Sequence, residues 1–162
     1  MCGCKGMFGK GIEERFWEKV AKKGDDECWL WFRGKDKLGY GRFYNNGIRS
    51  YLAHKFAYET VVGPVPDGME LDHACHNTSC VNPAHLRPAT RHQNNGNRTL
   101  DPQNTSGLKG AFYFKRTGKW MAQIGVNGRS KYLGIYVTKE EAHAAYCQAA
   151  IKYFGEFANF GE

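Results

Sequence analysis

The chain is 162 residues long and carries 23 Lys and Arg against 16 Asp and Glu, a formal net charge of +7 with a pI of about 9.1. That length allows one ordinary domain or two small ones, neither with a large core, and the basic balance favours a polyanionic partner, nucleic acid first. No apolar run approaches the roughly 20 residues of a membrane span, and the amino-terminal MCGCKGMFGKG lacks a signal-peptide hydrophobic segment, so a soluble intracellular protein with no membrane partner is expected.

Residues 12–23, IEERFWEKVAKK, place acids early, bases late and apolar Ile12, Phe16, Trp17 and Val20 at helical spacing, which predicts a short amphipathic helix. From Cys28 to Gly63, aromatic and apolar runs are broken at Gly34, Gly39 and Asn45-Asn46-Gly47. These read as strands joined by turns, and the closing SYLAHKFAYETVVG turns helical. Pro64 and Pro66 lead into a short strand, MELDHAC, then a Cys/His-rich loop and a second helix beginning near Thr90. Residues 96–107, GNRTLDPQNTSG, are polar and turn-rich, and a domain boundary is expected there, with residues 101–106 as the linker. Beyond it, three aromatic or β-branched runs separated by Arg116-Thr117-Gly118 and Asn127-Gly128 predict a three-stranded meander. A helix from about Thr138 to Phe154 follows, with Thr138 as N-cap, Glu140 and Glu141 in its first turn and Gly155 as its stop.

Residues 71–86, LDHACHNTSCVNPAHL, gather His73, Cys75, His76, Cys80 and His85. Without a secretory signal, this clustering is better explained by metal than by disulfides. Structural zinc takes four thiolates or imidazoles on loops short enough to converge. Cys75, Cys80 and His85 supply three. Cys28 is the best fourth, because CWLW opens the preceding sheet while Cys2, Cys4 and Cys147 lie near termini or in a helix. Such a site stitches together two remote segments of a domain with a small core. On these residues alone, buried thiols without metal and a purely structural knuckle remain open. A knuckle leaves unexplained the Asp72-His73 pair just before the first loop cysteine, and Asn94 on the helix after the loop.

Asp72-His73, Asn82 in CVNPAHL and Asn94 in RHQNN match a signature, and residues 28–98 resemble the HNH nucleases of the ββα-metal superfamily. HACHNTSCVNPAHL is especially similar to the His-Cys box homing endonucleases. CWLW, GYGRF and LAHKFAYE are similar to the region upstream of the motif in phage and intron HNH proteins. The resemblance implies that His73 is the general base, an imidazole being able to exchange protons near neutral pH. It implies that Asp72 and Asn94, with Asn95 as the rival of Asn94, bind one divalent ion. That ion is most simply Mg²⁺, with Mn²⁺ as an alternative, because hard cations prefer oxygen ligands. Asn82 is implied as a loop organiser whose amide bonds backbone across the hairpin. Arg42 in GYGRF is the candidate phosphate clamp through a bidentate guanidinium; His54 and His76 are assigned no role, with a place lining the cleft open to His54.

From residue 107 to 135 the chain carries Lys109, Lys115, Arg116, Lys119, Arg129 and Lys131 and no acid. Alternation in KWMAQIGV puts Trp120, Ala122, Ile124 and Val126 on one face, to bury against Ala142, Ala145, Tyr146, Ala149 and Tyr153 of the last helix. Lys119, Met121, Gln123 and Gly125 are left on an open, basic face of a width that enters the DNA major groove. GKWMAQI, KYLGIYVTKEEAHAAY and AAIKYFGEFANF, within residues 105–160, resemble the plant ethylene-response-factor (AP-two) domain. That resemblance implies groove recognition by Gln123 and Tyr132, with Lys109, Phe112, Arg116, Lys119 and Arg129 on or beside the same surface. Family arginines are replaced here by Phe112, Gly125 and Ser130, which puts the plant target sequence out of reach.

The expected fold class is therefore α+β: a zinc-stabilised ββα-metal nuclease domain over residues 1–100, a linker at 101–106, and a three-stranded antiparallel sheet packed on one helix over residues 107–162. The expected function is a site-preferring DNA endonuclease of phage or homing type, acting on double-stranded DNA with one catalytic Mg²⁺ and one structural zinc. It would nick as a monomer or cut both strands as a homodimer, leaving 5′-phosphate and 3′-hydroxyl ends. The competing reading is a zinc-stabilised DNA-binding protein with a decayed active site.

Overall fold

The computed structural model describes residues 11–45 and 49–161; Cys2, Cys4, and Asn46 and Gly47 of the expected turn lie outside them. In chain order the elements are α1 (Ile12–Trp17), β1 (Val20–Ala21), β2 (Leu30–Trp31), β3 (Arg42–Asn45), β4 (Arg49–Leu52), α2 (Ala53–Val61), β5 (Glu70–His73), β6 (Leu86–Ala89), α3 (Arg91–Gly96), β7 (Ala111–Phe114), β8 (Lys119–Val126), β9 (Arg129–Tyr136) and α4 (Lys139–Phe154). β1 pairs with β2, β3 with β4 and β5 with β6 as two-stranded sheets, and β7-β8-β9 form a three-stranded sheet. Among the described residues no helix is long and apolar enough to cross a membrane. The chain divides into two compact units: residues 1–66 with 73–87, and residues 67–72 with 88–162. The stretch 101–106 lies inside the second unit.

The first unit is built around an aromatic cluster of Phe16, Val20, Trp31, Phe43, Ala53, Ala57 and Val81. Phe16 stacks on Trp31 at 5.2 Å and meets Phe43 edge-on at 5.1 Å, spacings that favour aromatic pairs beyond their buried area. This cluster also explains why α1 is shorter than the expected helix over 12–23. Val20 leaves the helical path to pair with Trp31 across β1 and β2, a β-branched residue gaining more in a buried sheet position than in an exposed helical turn.

The second unit holds the predicted meander and helix. β8 is the central strand, with Ala122, Ile124 and Val126 buried against Ala142, Tyr146, Ala149, Ala150 and Phe154 of α4. The β8–β9 turn has Asn127 at φ 51° and Gly128 at φ 74°, the paired positive angles of a type I′ hairpin. Thr138 caps α4 in a reciprocal capping box with Glu141, and Gly155 at φ 56° ends it. Thr90 and Gln93 form the same box at the start of α3.

Candidate active site and metal centre

The metal-capable residues of the first unit converge. Ligand atoms of Cys28, Cys75, Cys80 and His85 all lie within 4.8 Å of one another. The His85 Nδ1 is 3.6 Å from both the Cys28 and the Cys80 Sγ. A tetrahedral ion with Zn–S near 2.3 Å and Zn–N near 2.0–2.1 Å sets that edge at about 3.6 Å, so the donor set fits zinc. Backbone bonds bring the remote pieces together: Trp31 N–H donates to Ser79 O at 3.0 Å and Val81 N–H to Trp29 O at 2.8 Å, with Leu30 bridged to Cys80 between them. Hydrogen bonding between Cys80 and Cys75 lowers the Cys75 thiol to about 4 and raises Cys80, while burial raises Cys28. A divalent cation among these sulfurs would favour deprotonating all three.

Asn82 is 2% exposed and makes the closing stitch. Its Nδ2 donates to Asp25 O at 2.7 Å and Glu27 O at 2.8 Å, and its Oδ1 accepts from Ala84 N–H at 3.0 Å. The expected organiser therefore reaches the segment just before Cys28 rather than across its own hairpin, aligning the fourth cysteine with the loop that carries the other three ligands.

His73, the last residue of β5, is buried, and its Nε2 lies 3.1 Å from the backbone oxygen of Cys80. A carbonyl oxygen only accepts, so Nε2 carries the proton and Nδ1 is the basic nitrogen. The same residue that presents a thiol to the Cys/His cluster thus orients this imidazole through its main chain. His54 of α2 stands T-shaped on His73 with ring centroids 4.8 Å apart, and Tyr40 lies against both rings. Burial, reinforced by His73, holds the His54 imidazole far below its ordinary range, at about 3. Arg42 sits on β3 with Nη2 3.2 Å from Asp36 Oδ2, its side chain 39% exposed. Asp36 also accepts from the backbone N–H of Leu38 and Tyr40 at 3.0 and 3.1 Å, so the guanidinium is held by a fixed carboxylate.

In the second unit, the buried Asp72 carboxylate receives the Nδ2 of Asn97 on both oxygens, at 2.8 and 2.9 Å. Asn94, expected beside Asp72, instead donates to Glu70 Oε2 at 3.0 Å. Asn97 is the functional candidate that sequence reasoning missed. It lies three residues beyond Asn94, where the α3 turn ends as its C-cap, and RHQNNGN offers three asparagines that spacing alone does not rank. Gly96 before it packs so closely that a Cβ would meet the Phe154 ring, which fixes the end of α3 against α4.

The sheet positions the expected DNA contacts unevenly. Phe112 pairs with Met121, Met121 with Ile135, and Gln123 with Tyr132, so Phe112, Met121, Gln123 and Tyr132 share the face away from α4, with Lys119 two residues from Met121 on the same face. That face is as aromatic as it is basic, with Phe112 at 41% and Tyr132 at 63% exposure. Arg129 pairs with Val126, and alternation puts it on the opposite side of its strand from Gln123, at the exposed two-residue hairpin beside the face. Lys109 is corrected. Its ammonium turns inward to the backbone oxygens of Gly96, Arg98 and Asn159, and burial lowers it to about 8. Arg116 lies in the exposed β7–β8 turn over the Phe114 ring.

A mixed α/β chain with small sheets and a Cys₃His cluster beside a hairpin histidine is consistent with an HNH domain, and the comparisons extend this. A family model described as HNH endonuclease matches residues 51–96. An uncharacterized HNH endonuclease of Acanthamoeba polyphaga mimivirus is 30% identical over 143 residues, covering 88% of this chain and 68% of that protein. Protein 3.8 of Escherichia phage T7 is 30% identical over 122 residues, 69% of this chain and 98% of that protein. Protein 7.7 of the same phage is 38% identical over 69 residues, 43% of this chain. The chain spans 52% of Protein 7.7 and 57% of the gene 5.3 protein of Enterobacteria phage T3, about half of each. No solved structure matches. The chain belongs to the HNH endonuclease family, a family of nucleases.

Proposed function

We propose that this protein is an endonuclease that hydrolyses phosphodiester bonds of double-stranded DNA, with His73 as general base. The observation that carries the reading is the buried His73 imidazole with its Nε2 on the Cys80 carbonyl. With Nε2 as the donor there, Nδ1 is the nitrogen that would take a proton from the attacking water. A carboxylate and an amide oxygen are the donor set of a hard cation: Asp72 would supply the first, and Asn97, whose Nδ2 faces that carboxylate, would supply the second by turning its amide over, with Asn94 as the alternative suggested by the signature. Such an ion, Mg²⁺ or Mn²⁺, supplies polarisation of the scissile phosphate and neutralises charge on the departing 3′ oxygen. Arg42 binds a phosphate oxygen, its guanidinium pre-oriented by Asp36. The products carry 5′-phosphate and 3′-hydroxyl ends.

Cys28, Cys75, Cys80 and His85 would hold one zinc, whose contribution is to fold the loop rather than to take part in chemistry. By function, residues 1–100 would be the nuclease part and 107–162 a DNA-binding part of AP-two type, a division at 101–106 that differs from the compact units, the second of which already takes in 67–72 and 88–106. Phe112, Lys119, Gln123 and Tyr132 face the duplex and Arg116 flanks them. Contacts of basic side chains with phosphates would give affinity, and contacts of sheet side chains with base edges would give site preference. Incubating supercoiled plasmid with purified protein and Mg²⁺, beside a His73→Ala control, tests the proposal. Mg²⁺-dependent nicking that the variant loses is expected. Absence of nicking by wild type across a broad sequence pool leaves only the DNA-binding reading, and equal nicking by the variant removes His73 as base.

A further inference from the structure

His54 has no part in the chemistry so far, yet it is 5% exposed and packs directly on the proposed base. Its Nδ1 is sealed from solvent and has no hydrogen-bond partner among the described residues. A neutral imidazole has one N–H and one bare nitrogen, and burying the N–H without a partner forfeits the stronger of its two hydrogen-bonding groups. The favoured tautomer therefore keeps Nδ1 bare and puts the proton on Nε2. Burial and the neighbouring His73 keep the ring neutral, and Arg42 and Asp36 are near enough to act on it electrostatically. The result is a fixed, uncharged N–H donor in the same cluster as the base and the guanidinium. A base nitrogen lies about 3 Å from its water and the water about 3–3.5 Å from phosphorus. A ring 4.8 Å from His73 is therefore within reach of the phosphoryl oxygens around that phosphorus.

We propose that His54 is a second catalytic imidazole, donating its Nε2–H to a non-bridging oxygen of the scissile phosphate while His73 accepts the proton of the attacking water. The inference rests on the nuclease reading. In the step, the water oxygen bonds to phosphorus, the P–O3′ bond breaks, the water proton passes to His73 Nδ1, and the 3′ oxygen is protonated from solvent. His54 exchanges no proton.

Single-turnover nicking of supercoiled plasmid by the zinc-loaded full-length protein in Mg²⁺ tests it. His54→Phe should slow the nicking step about 100-fold, the usual loss for one preorganised donor. The protein concentration giving half-maximal rate should move by less than about threefold. His54→Gln keeps an N–H donor and should recover about tenfold of that loss. A phenylalanine variant at wild-type rate, or glutamine and phenylalanine variants equally slow, overturns the proposal. Should the variants not fold, ¹⁵N-histidine NMR of wild type decides. A neutral Nε2–H tautomer at about pH 7, whose Nε2 shift moves when a short duplex is added without Mg²⁺, supports it; an Nδ1–H tautomer or an unmoved shift overturns it. A wild type that nicks no plasmid removes the nuclease reading and this inference with it, whereas a wild type that nicks alongside an equally active phenylalanine variant removes the inference alone.

Discussion

Replacing Asn82 with alanine removes three hydrogen bonds at once: those from Nδ2 to Asp25 O and Glu27 O, and that from Ala84 N–H to Oδ1. At about 1 kcal/mol each, the loss is about 3 kcal/mol, and the site is too buried for water to replace the bonds freely. Because Glu27 precedes Cys28, part of that loss should appear as weaker metal binding, at about tenfold for each 1.4 kcal/mol. Asn82→Asp is a sharper probe: it keeps the shape and the acceptor for Ala84, but sets a carboxylate against two carbonyl oxygens, and should cost at least as much. Urea denaturation of the zinc-loaded protein, followed by tryptophan fluorescence, reads the effect, since Trp17, Trp29 and Trp31 belong to the first unit. A change below about 1 kcal/mol for the alanine variant, with zinc affinity intact, would refute the claim that Asn82 holds the Cys28 segment to the loop.

Elemental analysis of the purified protein should find about one zinc per chain, and Cys80→Ser should lose it on dialysis that wild type withstands; full retention by the variant overturns the ligand set. Asn97→Ala should abolish Mg²⁺-stimulated nicking while Asn94→Ala, which breaks only the contact to Glu70, retains most of it; the reverse ranking restores Asn94 as the ligand. Lys109→Met should lower the stability of the second unit by about 2 kcal/mol yet leave the salt dependence of DNA binding unchanged, whereas a phosphate contact would lower that slope by about one. His54 is held at about 3 in the folded protein against an ordinary 6.5, so the unfolded chain binds more protons between those values. Its contribution is complete above about pH 6.5 and is lost as pH falls toward about 3, and the difference in urea stability between wild type and His54→Gln should narrow across that window. A constant difference refutes a buried neutral imidazole.

The three-stranded sheet and its helix were legible in the chain because the signals are local. Asn127-Gly128 dictates a tight hairpin, alternation in KWMAQIGV assigns its faces, and Thr138 with Glu141 starts α4. The four metal-capable residues were legible for another reason: thiols and imidazoles at that spacing have few alternative uses. The amino-terminal helix was misjudged in length because Val20 answers to Trp31, a partner 11 residues away in sequence, rather than to its own helical neighbours. The inward turn of Lys109 toward the backbone of Asn159 leaves no trace in a basic stretch that reads as solvent-facing.

Residue chemistry by itself thus determined that three residues of a Cys/His centre and an Asp-His pair fall within one sixteen-residue stretch, and that a basic sheet with its helix follows. Only the tertiary structure decided which asparagine meets Asp72, that Asn82 reaches back to Asp25 and Glu27, and that His54 lies on His73. Periodicity and spacing report on neighbours within a turn or a hairpin. Contacts across 19, 25 or 57 residues depend on how whole segments pack, and packing is settled by the core as a unit.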